Sequence, residues 1–166
     1  GNSIIFRFAT VFGVSPRMRL DLLVNEFVYK ALTDKYITIF ERKAVRNYIH
    51  IRDVADVFSF MVDNQVSYKG DIFNVGLSNA NINKQQLAEL IKKYISDFAI
   101  TYSDYYEDPD KRDYIVSNEK IESTGWLPKY TLHDGIKELI MAYQIIINND
   151  TSHFRNGFPL TYGAAL

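Results

Sequence analysis

The sequence predicts an α/β fold, and three features support this. Short strand segments alternate with amphipathic helices along the 166 residues, an order typical of strands joined by helical crossovers. Residues 4–11 (IIFRFATV) are apolar, β-branched or aromatic apart from Arg7, which is typical of a parallel strand buried on both faces. There is no internal repeat, so the length indicates one domain or a piece of a larger one.

The other elements follow from the spacing of apolar side chains. Helical spacing predicts helices at about 20–31, 54–61, 84–95 and 132–147, with a shorter one at 118–124. Runs of β-branched and aromatic residues predict strands at 37–40, 47–51, 71–75 and 98–102. Asp53 is predicted to cap the second helix, since its carboxylate can accept first-turn amides, and Asn83 with Gln86 resembles a capping box for the third.

Composition excludes several classes of function. The absence of cysteine excludes disulfides, Cys-ligated zinc, iron–sulfur clusters and thiol nucleophiles. A net charge of −1, with acids and bases interspersed, argues against binding to nucleic acid or acidic membranes. The three histidines match no metal-ligand spacing, and no apolar run approaches the ~18 residues of a membrane span. Without a signal-peptide pattern, we expect a cytoplasmic protein. Without cysteine or a metal-ligand spacing of histidines, we expect it to bind no metal.

Arginines are the candidate binding residues. Arg7 lies within the first apolar strand, and Arg17 and Arg19 lie in the loop after it. Arg46 precedes a later strand and Arg112 ends an acidic loop. A guanidinium pairs two oxygens of a phosphate or carboxylate, which makes such residues suitable for anionic ligands. The alternative is a set of local ion pairs with Asp21, Asp53, Asp108 or Asp113.

Residues 46–55 (RNYIHIRDVA) carry a more specific pattern. They resemble the Arg-x-Tyr-[IV]-x-[IV]-x-Asp-[VL]-[AV] signature in the C-terminal part of extended short-chain dehydrogenases/reductases, the NAD-dependent nucleotide-sugar epimerases, dehydratases and decarboxylases. Further segments resemble motifs of that family in the same order: 6–13 (FRFATVFG), 37–40 (ITIF), 72–76 (IFNVG), 108–112 (DPDKR) and 124–128 (TGWLP). Each match is weak alone, but together they cover about residues 3–145.

The resemblance implies the C-terminal part of a Rossmann-type enzyme, with the last parallel strands of its sheet and a smaller α/β substrate-binding domain. Residues 1–15 would form a late Rossmann strand and its turn. Residues 16–147 would form mostly the nucleotide-sugar domain, with a strand and a helix returning to the Rossmann sheet. Residues 148–166 would form a tail.

The same resemblance implies roles for individual residues. Arg46 and Arg112 would hold the two phosphates of a nucleotide diphosphate. Asn25 would place an amide near those phosphates. Phe40 would lie against the base, with plain core packing as the open alternative.

The first strand and its loop would contribute further contacts. Thr10 and Val11 would lie at the turn that reaches the nicotinamide carboxamide, largely through backbone groups. Thr10 stands where many members of the family carry an asparagine that contacts the sugar-nucleotide. Arg17 and Arg19 are close enough in sequence to reach the sugar or phosphate. Three other residues are interpreted as structural: His50, Asp53 and Trp126.

Two motifs of the family, its Gly-rich turn and its Tyr-x-x-x-Lys pair, are absent from these residues. The resemblance therefore implies the substrate-binding half of an enzyme about twice this length, without a catalytic residue of its own and inactive alone. NAD or NADP would be bound mainly by an N-terminal half, and the parent would be a homodimer acting on a GDP-, UDP- or dTDP-sugar by hydride transfer at the sugar ring. The nucleotide, the sugar and the choice among epimerisation, dehydration, decarboxylation and simple oxidation stay open. The alternative is a free-standing, non-catalytic module that binds a nucleotide or a protein.

Overall fold

The computed structural model describes residues 3–103 and 113–147. Strands and helices alternate along them. The strands are β1 (Ile5–Phe8), β2 (Thr10–Phe12), β3 (Tyr36–Phe40), β4 (Val45–Arg46), β5 (Tyr48–His50), β6 (Ile72–Val75), β7 (Ile82–Asn83) and β8 (Ala99–Ser103). The helices are α1 (Leu23–Thr33), α2 (Ile51–Asp63), α3 (Gln65–Tyr68), α4 (Lys84–Lys92), α5 (Glu119–Glu122) and α6 (Leu132–Ile146).

Most of the strand pairing is parallel. β1 pairs with β6, β2 with β5 and β3 with β8 in parallel, whereas the short strands β4 and β7 are antiparallel. Parallel neighbours need long crossovers, and each of these pairs is separated in sequence by at least one helix. The predicted α/β class is confirmed.

The first strand of the structure differs in two ways from the prediction. It is divided at Ala9 into β1 and β2, which pair with different partners. Side chains of β1 alternate between exposed and half-buried, and Ile5 is 49% exposed, so the prediction of burial on both faces is wrong for the described structure. Helix α2 covers one face of β1: Phe58 lies 5.1 Å from Phe6 and 5.7 Å from Phe8 between ring centroids.

The core lies between the β2–β5 pair and helices α1 and α6. Phe12 of β2 and Ile49 of β5 are at most 1% exposed, and Val28 of α1 is fully buried. The hydroxyl of Tyr143, on α6, donates to the carbonyl of Asn25, on α1, at 3.1 Å. This packing fixes the strands that carry most of the candidate site.

The start of α2 corrects a second prediction. Its N-cap is His50, whose Nδ1 accepts the backbone N–H of Arg52 at 3.2 Å. The prediction that Asp53 caps this helix is wrong, because the helix begins earlier than its apolar spacing indicates. Asp53 therefore lies within the first turn, where its buried carboxylate accepts the backbone amides of Lys129 and Tyr130 at 2.9 and 3.1 Å.

The other predicted helix start is confirmed. The side chain of Asn83 accepts the amide of Gln86, and the side chain of Gln86 accepts the amide of Asn83. Thr131 and Asp134 form a similar box at the start of α6, which the sequence analysis missed. The predicted tail, 148–166, and most of the acidic loop lie outside the described residues. In residues 3–103 and 113–147, no helix has the length and apolar character needed to cross a bilayer.

Candidate functional site

Among the predicted binding arginines that the structure describes, Arg46 is the most deeply buried. It ends β4, opposite Ile82 of β7, and is 2% exposed. Its Nη1 donates to the carbonyl of Val45 at 3.0 Å, and its guanidinium carbon lies 5.6 Å from the centre of the Tyr114 ring. Charged side chains are almost never buried this fully without a compensating arrangement, so the fold holds this cation in a defined position.

The residues that follow Arg112 in the chain pack beside Arg46. The carboxylate of Asp113 accepts the amide of Val45 at 2.9 Å, and the amide of Tyr114 donates to the carbonyl of Val45 at 3.3 Å. Arg112 itself lies outside the described residues. Its convergence with Arg46 on one diphosphate stays a prediction.

Asn47, the next residue, anchors this segment from its other side. Its Nδ2 donates to the carbonyl of Leu77 at 2.8 Å and to Oδ1 of Asn81 at 3.1 Å, while its Oδ1 accepts the amide of Leu77 at 3.2 Å. Asn81 continues the network by accepting the amide of Val116 at 2.9 Å and donating to its carbonyl at 3.1 Å. These bonds join the turn after β6 and the segment after Tyr114 to the Arg46 segment.

Tyr48 was not predicted as a site residue. Side chains alternate along extended backbone, so Tyr48 leaves the chain on the same side as Arg46. Its side chain is fully buried, edge-on to Phe12, and its hydroxyl has no hydrogen-bond partner among the described residues. Burial raises the pKa of the Tyr48 phenol well above its ordinary value, and the charge of Arg46 partly opposes this rise. The phenol is therefore protonated at neutral pH.

Thr10 and Val11 lie on β2, the parallel neighbour of β5. Thr10 is in register with Tyr48, and its amide donates to the carbonyl of Asn47 at 3.0 Å. Both residues are half-buried. The fold thus brings these two candidates to the strand beside the Arg46 segment, and their contact with a nicotinamide or sugar stays a prediction.

The loop after β2 is held by Asn25. Its Oδ1 accepts the amide of Gly13 at 3.1 Å, and its Nδ2 lies 3.4 Å from the carbonyl of Gly13 and 2.9 Å from that of Arg19. The side chain is 1% exposed, and these bonds direct its amide to the loop backbone. In this structure Asn25 shapes the loop, and its contact with a phosphate stays a prediction.

Arg17 and Arg19, on the same loop, have different surroundings. Arg19 donates from Nε and Nη2 to the two carboxylate oxygens of Asp21, each at 2.6 Å, and this bonding raises the pKa of the Arg19 guanidinium. The local ion pair considered from the sequence is therefore present for Arg19. Arg17 is exposed, and its carbonyl accepts the Ser15 hydroxyl at 2.8 Å.

Phe40 ends β3 and is half-buried. Its carbonyl accepts Nζ of Lys84 at 3.2 Å, and Lys84 begins α4 directly after the β7 strand that pairs with Arg46. Phe40 and Arg46 therefore both contact the short segment 82–84. Two residues in or beside this segment were not predicted from the sequence: Lys84, which is 3% exposed, and Glu41, whose φ of 49° is unusual for a residue with a side chain.

A second polar cluster lies at the other end of β5. His50 Nε2 is 2.9 Å from Oε2 of Glu138, Arg52 Nη2 donates to Oε1 of Glu138 at 2.8 Å, and the His50 ring stacks on Tyr130 at 4.6 Å. Burial lowers the pKa of His50, and Glu138 opposes this shift. Because these contacts join α6 to β5 and α2, the cluster acts as a structural brace.

Comparison with known proteins supports the resemblance. Residues 2–76 match the NAD dependent epimerase/dehydratase family. The chain is 32% identical over 116 residues to UDP-D-apiose/UDP-D-xylose synthase 2 of Arabidopsis thaliana, an alignment covering 60% of this chain and 29% of that protein. Its fold resembles UDP-glucose 4-epimerase of Thermotoga maritima, with a TM-score of 0.70 and 24% identity, over 87% of this chain and 46% of that one.

A dTDP-glucose 4,6-dehydratase from Bacillus anthracis, solved in complex with NAD, is also similar. Its TM-score is 0.66 at 25% identity, over 86% of this chain and 45% of that one. The chain thus spans less than half of either solved relative and 29% of the plant synthase. The motifs and the shared fold agree with the match of residues 2–76 to the NAD dependent epimerase/dehydratase family.

Proposed function

We propose that this chain forms the nucleotide-sugar-binding part of an NAD-dependent epimerase, dehydratase or 4-dehydrogenase. The observation that carries the proposal is the buried guanidinium of Arg46, held beside the residues that follow Arg112. A guanidinium donates to two phosphate oxygens at once, and each charge-assisted hydrogen bond contributes about 1.5–3 kcal/mol. The diphosphate of a nucleotide-sugar is the anionic group that suits such a pair of arginines.

The proposal assigns the remaining candidates to the other parts of the ligand. In the proposal Arg46 and Arg112 hold the diphosphate, and Phe40 lies against the base. Thr10 and Val11 lie toward the sugar and the nicotinamide. The loop after β2, which Asn25 holds in place, borders the ligand. Arg17, Arg19 and Asn25 are its candidate binding residues.

The family matches support this substrate class and leave the nucleotide open. The relatives compared above are a UDP-sugar synthase, a UDP-glucose epimerase and a dTDP-glucose dehydratase. The base must be distinguished by contacts to its edge, and the motifs do not specify those contacts. GDP-, UDP- and dTDP-sugars therefore all belong to the proposal.

The residues of this chain fit an edge of an NAD site. Thr10 and Val11 are half-buried on β2, but the sequence has no Gly-rich turn to receive the cofactor pyrophosphate. We infer that NAD or NADP is held mainly by residues outside these 166. NAD supplies a hydride acceptor and donor when bound, while this chain binds and orients the sugar-nucleotide.

The catalytic tyrosine and lysine are also expected outside this chain, since no tyrosine here is followed by a lysine four residues later. The chain alone is therefore proposed to be inactive, and the complete protein to be a homodimer. Its cytoplasmic location stays a prediction.

Calorimetry on the complete protein tests the proposal. UDP, GDP, dTDP and their glucose conjugates would be titrated into the natural protein and into the Arg46→Met variant. Loss of the guanidinium should weaken binding of the preferred nucleotide by roughly 10- to 100-fold. Arg52→Met is the matched control, since Arg52 lies nearby in sequence, is largely exposed and pairs with Glu138.

Unchanged affinity in an Arg46→Ala, Arg112→Ala double variant with an intact circular dichroism spectrum would overturn the proposal. Turnover of the same nucleotide-sugars, followed by NMR, identifies the reaction. Binding without turnover of any of them would favour the non-catalytic module.

A further inference from the structure

The hydroxyl of Tyr48 is buried and has no hydrogen-bond partner among the described residues. Glu41 Oε2 and Asn118 Oδ1 share this property among the described residues, but Tyr48 lies on the segment that carries Arg46 and is fully buried. Leaving a buried hydroxyl unsatisfied costs about 1–3 kcal/mol, and phenylalanine would fill the same space without that cost. A group from outside the described chain can supply the missing partner.

The position of this hydroxyl indicates what that group is. Arg46 and Tyr48 lie on one side of the extended segment, whereas Asn47 bonds to Leu77 and Asn81 on the other. The phenol is close enough to Arg46 and Tyr114 for both to influence its ionisation. The hydroxyl therefore lies close to the buried guanidinium.

The chemistry of the pair favours an anion. A guanidinium has donors and no acceptor, and a protonated phenol beside it can add one more donor. An anion with several oxygens, such as a phosphate, can accept from both groups together. A cation would be repelled by Arg46, and an apolar group would leave the hydroxyl unsatisfied.

We propose that Tyr48 is a ligand-binding residue whose hydroxyl donates a hydrogen bond to a phosphate oxygen of the diphosphate that Arg46 holds. This inference rests on the proposed function, because it requires a diphosphate at Arg46. It adds a residue whose role the sequence motif does not indicate: the motif position is aromatic, and its ring alone would explain core packing.

Tyr143 provides a matched comparison. It is also fully buried, but its hydroxyl donates to the carbonyl of Asn25 at 3.1 Å. Replacing each tyrosine by phenylalanine removes one oxygen from a buried site. Only the Tyr143 variant should therefore destabilise the ligand-free protein.

The test uses Tyr48→Phe in the complete protein, with pyrophosphate and the tightest-binding of UDP, GDP and dTDP as probes. Affinity for both probes should fall roughly tenfold, the equivalent of one hydrogen bond to a charged group. The melting temperature of the ligand-free variant should be unchanged or higher. Tyr143→Phe should lower the melting temperature.

Two results would overturn the inference. Unchanged affinity of Tyr48→Phe for both probes, in a protein that still loses affinity on Arg46→Met, would exclude a phosphate contact by the hydroxyl. A lower melting temperature of ligand-free Tyr48→Phe would show that a buried water or another protein group already satisfies it. If Arg46→Met also binds both probes normally, the proposed function itself fails.

Discussion

The two ends of one short segment, residues 46–50, carry polar clusters that differ in one respect. The histidine cluster (His50, Arg52, Asp53, Tyr130, Glu138) has a partner for both ring nitrogens of His50 and both carboxylate oxygens of Asp53. The arginine cluster (Arg46, Tyr48, Tyr114) leaves a buried hydroxyl without one among the described residues. Burial of polar groups is thus common to both, and incomplete hydrogen bonding marks the cluster that we propose binds a ligand.

The comparison predicts that the histidine cluster contributes chiefly to stability. Asp53→Ala removes a buried carboxylate and leaves two backbone amides, those of Lys129 and Tyr130, without an acceptor. The free energy of unfolding should fall by about 3 kcal/mol, measured by urea denaturation. Asp97→Ala, which removes an exposed partner of Lys35, is the control and should have no measurable effect. An equal loss in both variants would contradict the structural role of Asp53.

Substitution of Gly135, which packs against His50, should cause a smaller loss of stability. Alanine normally stabilises a helix relative to glycine, but here a Cβ would lie 2.1 Å from Phe12 Cε2 and 3.0 Å from His50 Cδ2. Because both neighbours are buried rings, Gly135→Ala should lower the free energy of unfolding by about 2 kcal/mol. Thermal denaturation measures this change, with exposed Lys137→Ala on the same helix as the control. A more stable Gly135→Ala protein would show that α6 does not pack as described.

The smallest predicted effect is a pH dependence from His50. Burial lowers the pKa of its imidazole in the folded state from the ordinary 6.5. The unfolded chain therefore binds more protons as the pH falls through that range, and the free energy of unfolding should decrease by at most about 1.4 kcal/mol per pH unit. Protonation of Nδ1 would also remove the acceptor for the amide of Arg52.

Urea denaturation between pH 7.5 and 5.5 measures this dependence, and those two values are about one unit either side of the ordinary histidine pKa. His50→Gln should weaken the dependence, whereas His133→Gln should retain it. Identical slopes in the natural protein and His50→Gln would contradict the prediction.

Features that depend on neighbouring residues were predicted more accurately than features that depend on tertiary contacts. The alternation of strands and helices, the Asn83 capping box and the family resemblance were predicted correctly, because each depends on short stretches of sequence. The prediction that β1 is buried on both faces was wrong, because the apolar composition of a strand does not specify which of its faces is covered. The N-cap of α2 was misplaced by three residues because the tertiary contact of Asp53 competes with its local one.

The candidate site divides in the same way. The motif singled out Arg46, but the ring of Tyr114, the bond from Val45 to Asp113 and the buried Lys84 depend on chain segments that are distant in sequence. Short strands such as β4 and β7, each only two residues long, were not predicted because their pairing is formed by tertiary structure.

The sequence by itself determined the α/β class, the order of the main elements and the family resemblance, and it singled out Arg46 as a candidate, since periodicity and motifs are local properties of the chain. Only the tertiary structure decided which polar groups are satisfied. Tyr48 and Tyr143 are both buried. The hydroxyl of Tyr143 donates to the carbonyl of Asn25, whereas the hydroxyl of Tyr48 has no partner among the described residues. The physical reason is that a hydrogen bond requires two groups to meet in space, and their spacing along the chain does not specify that meeting.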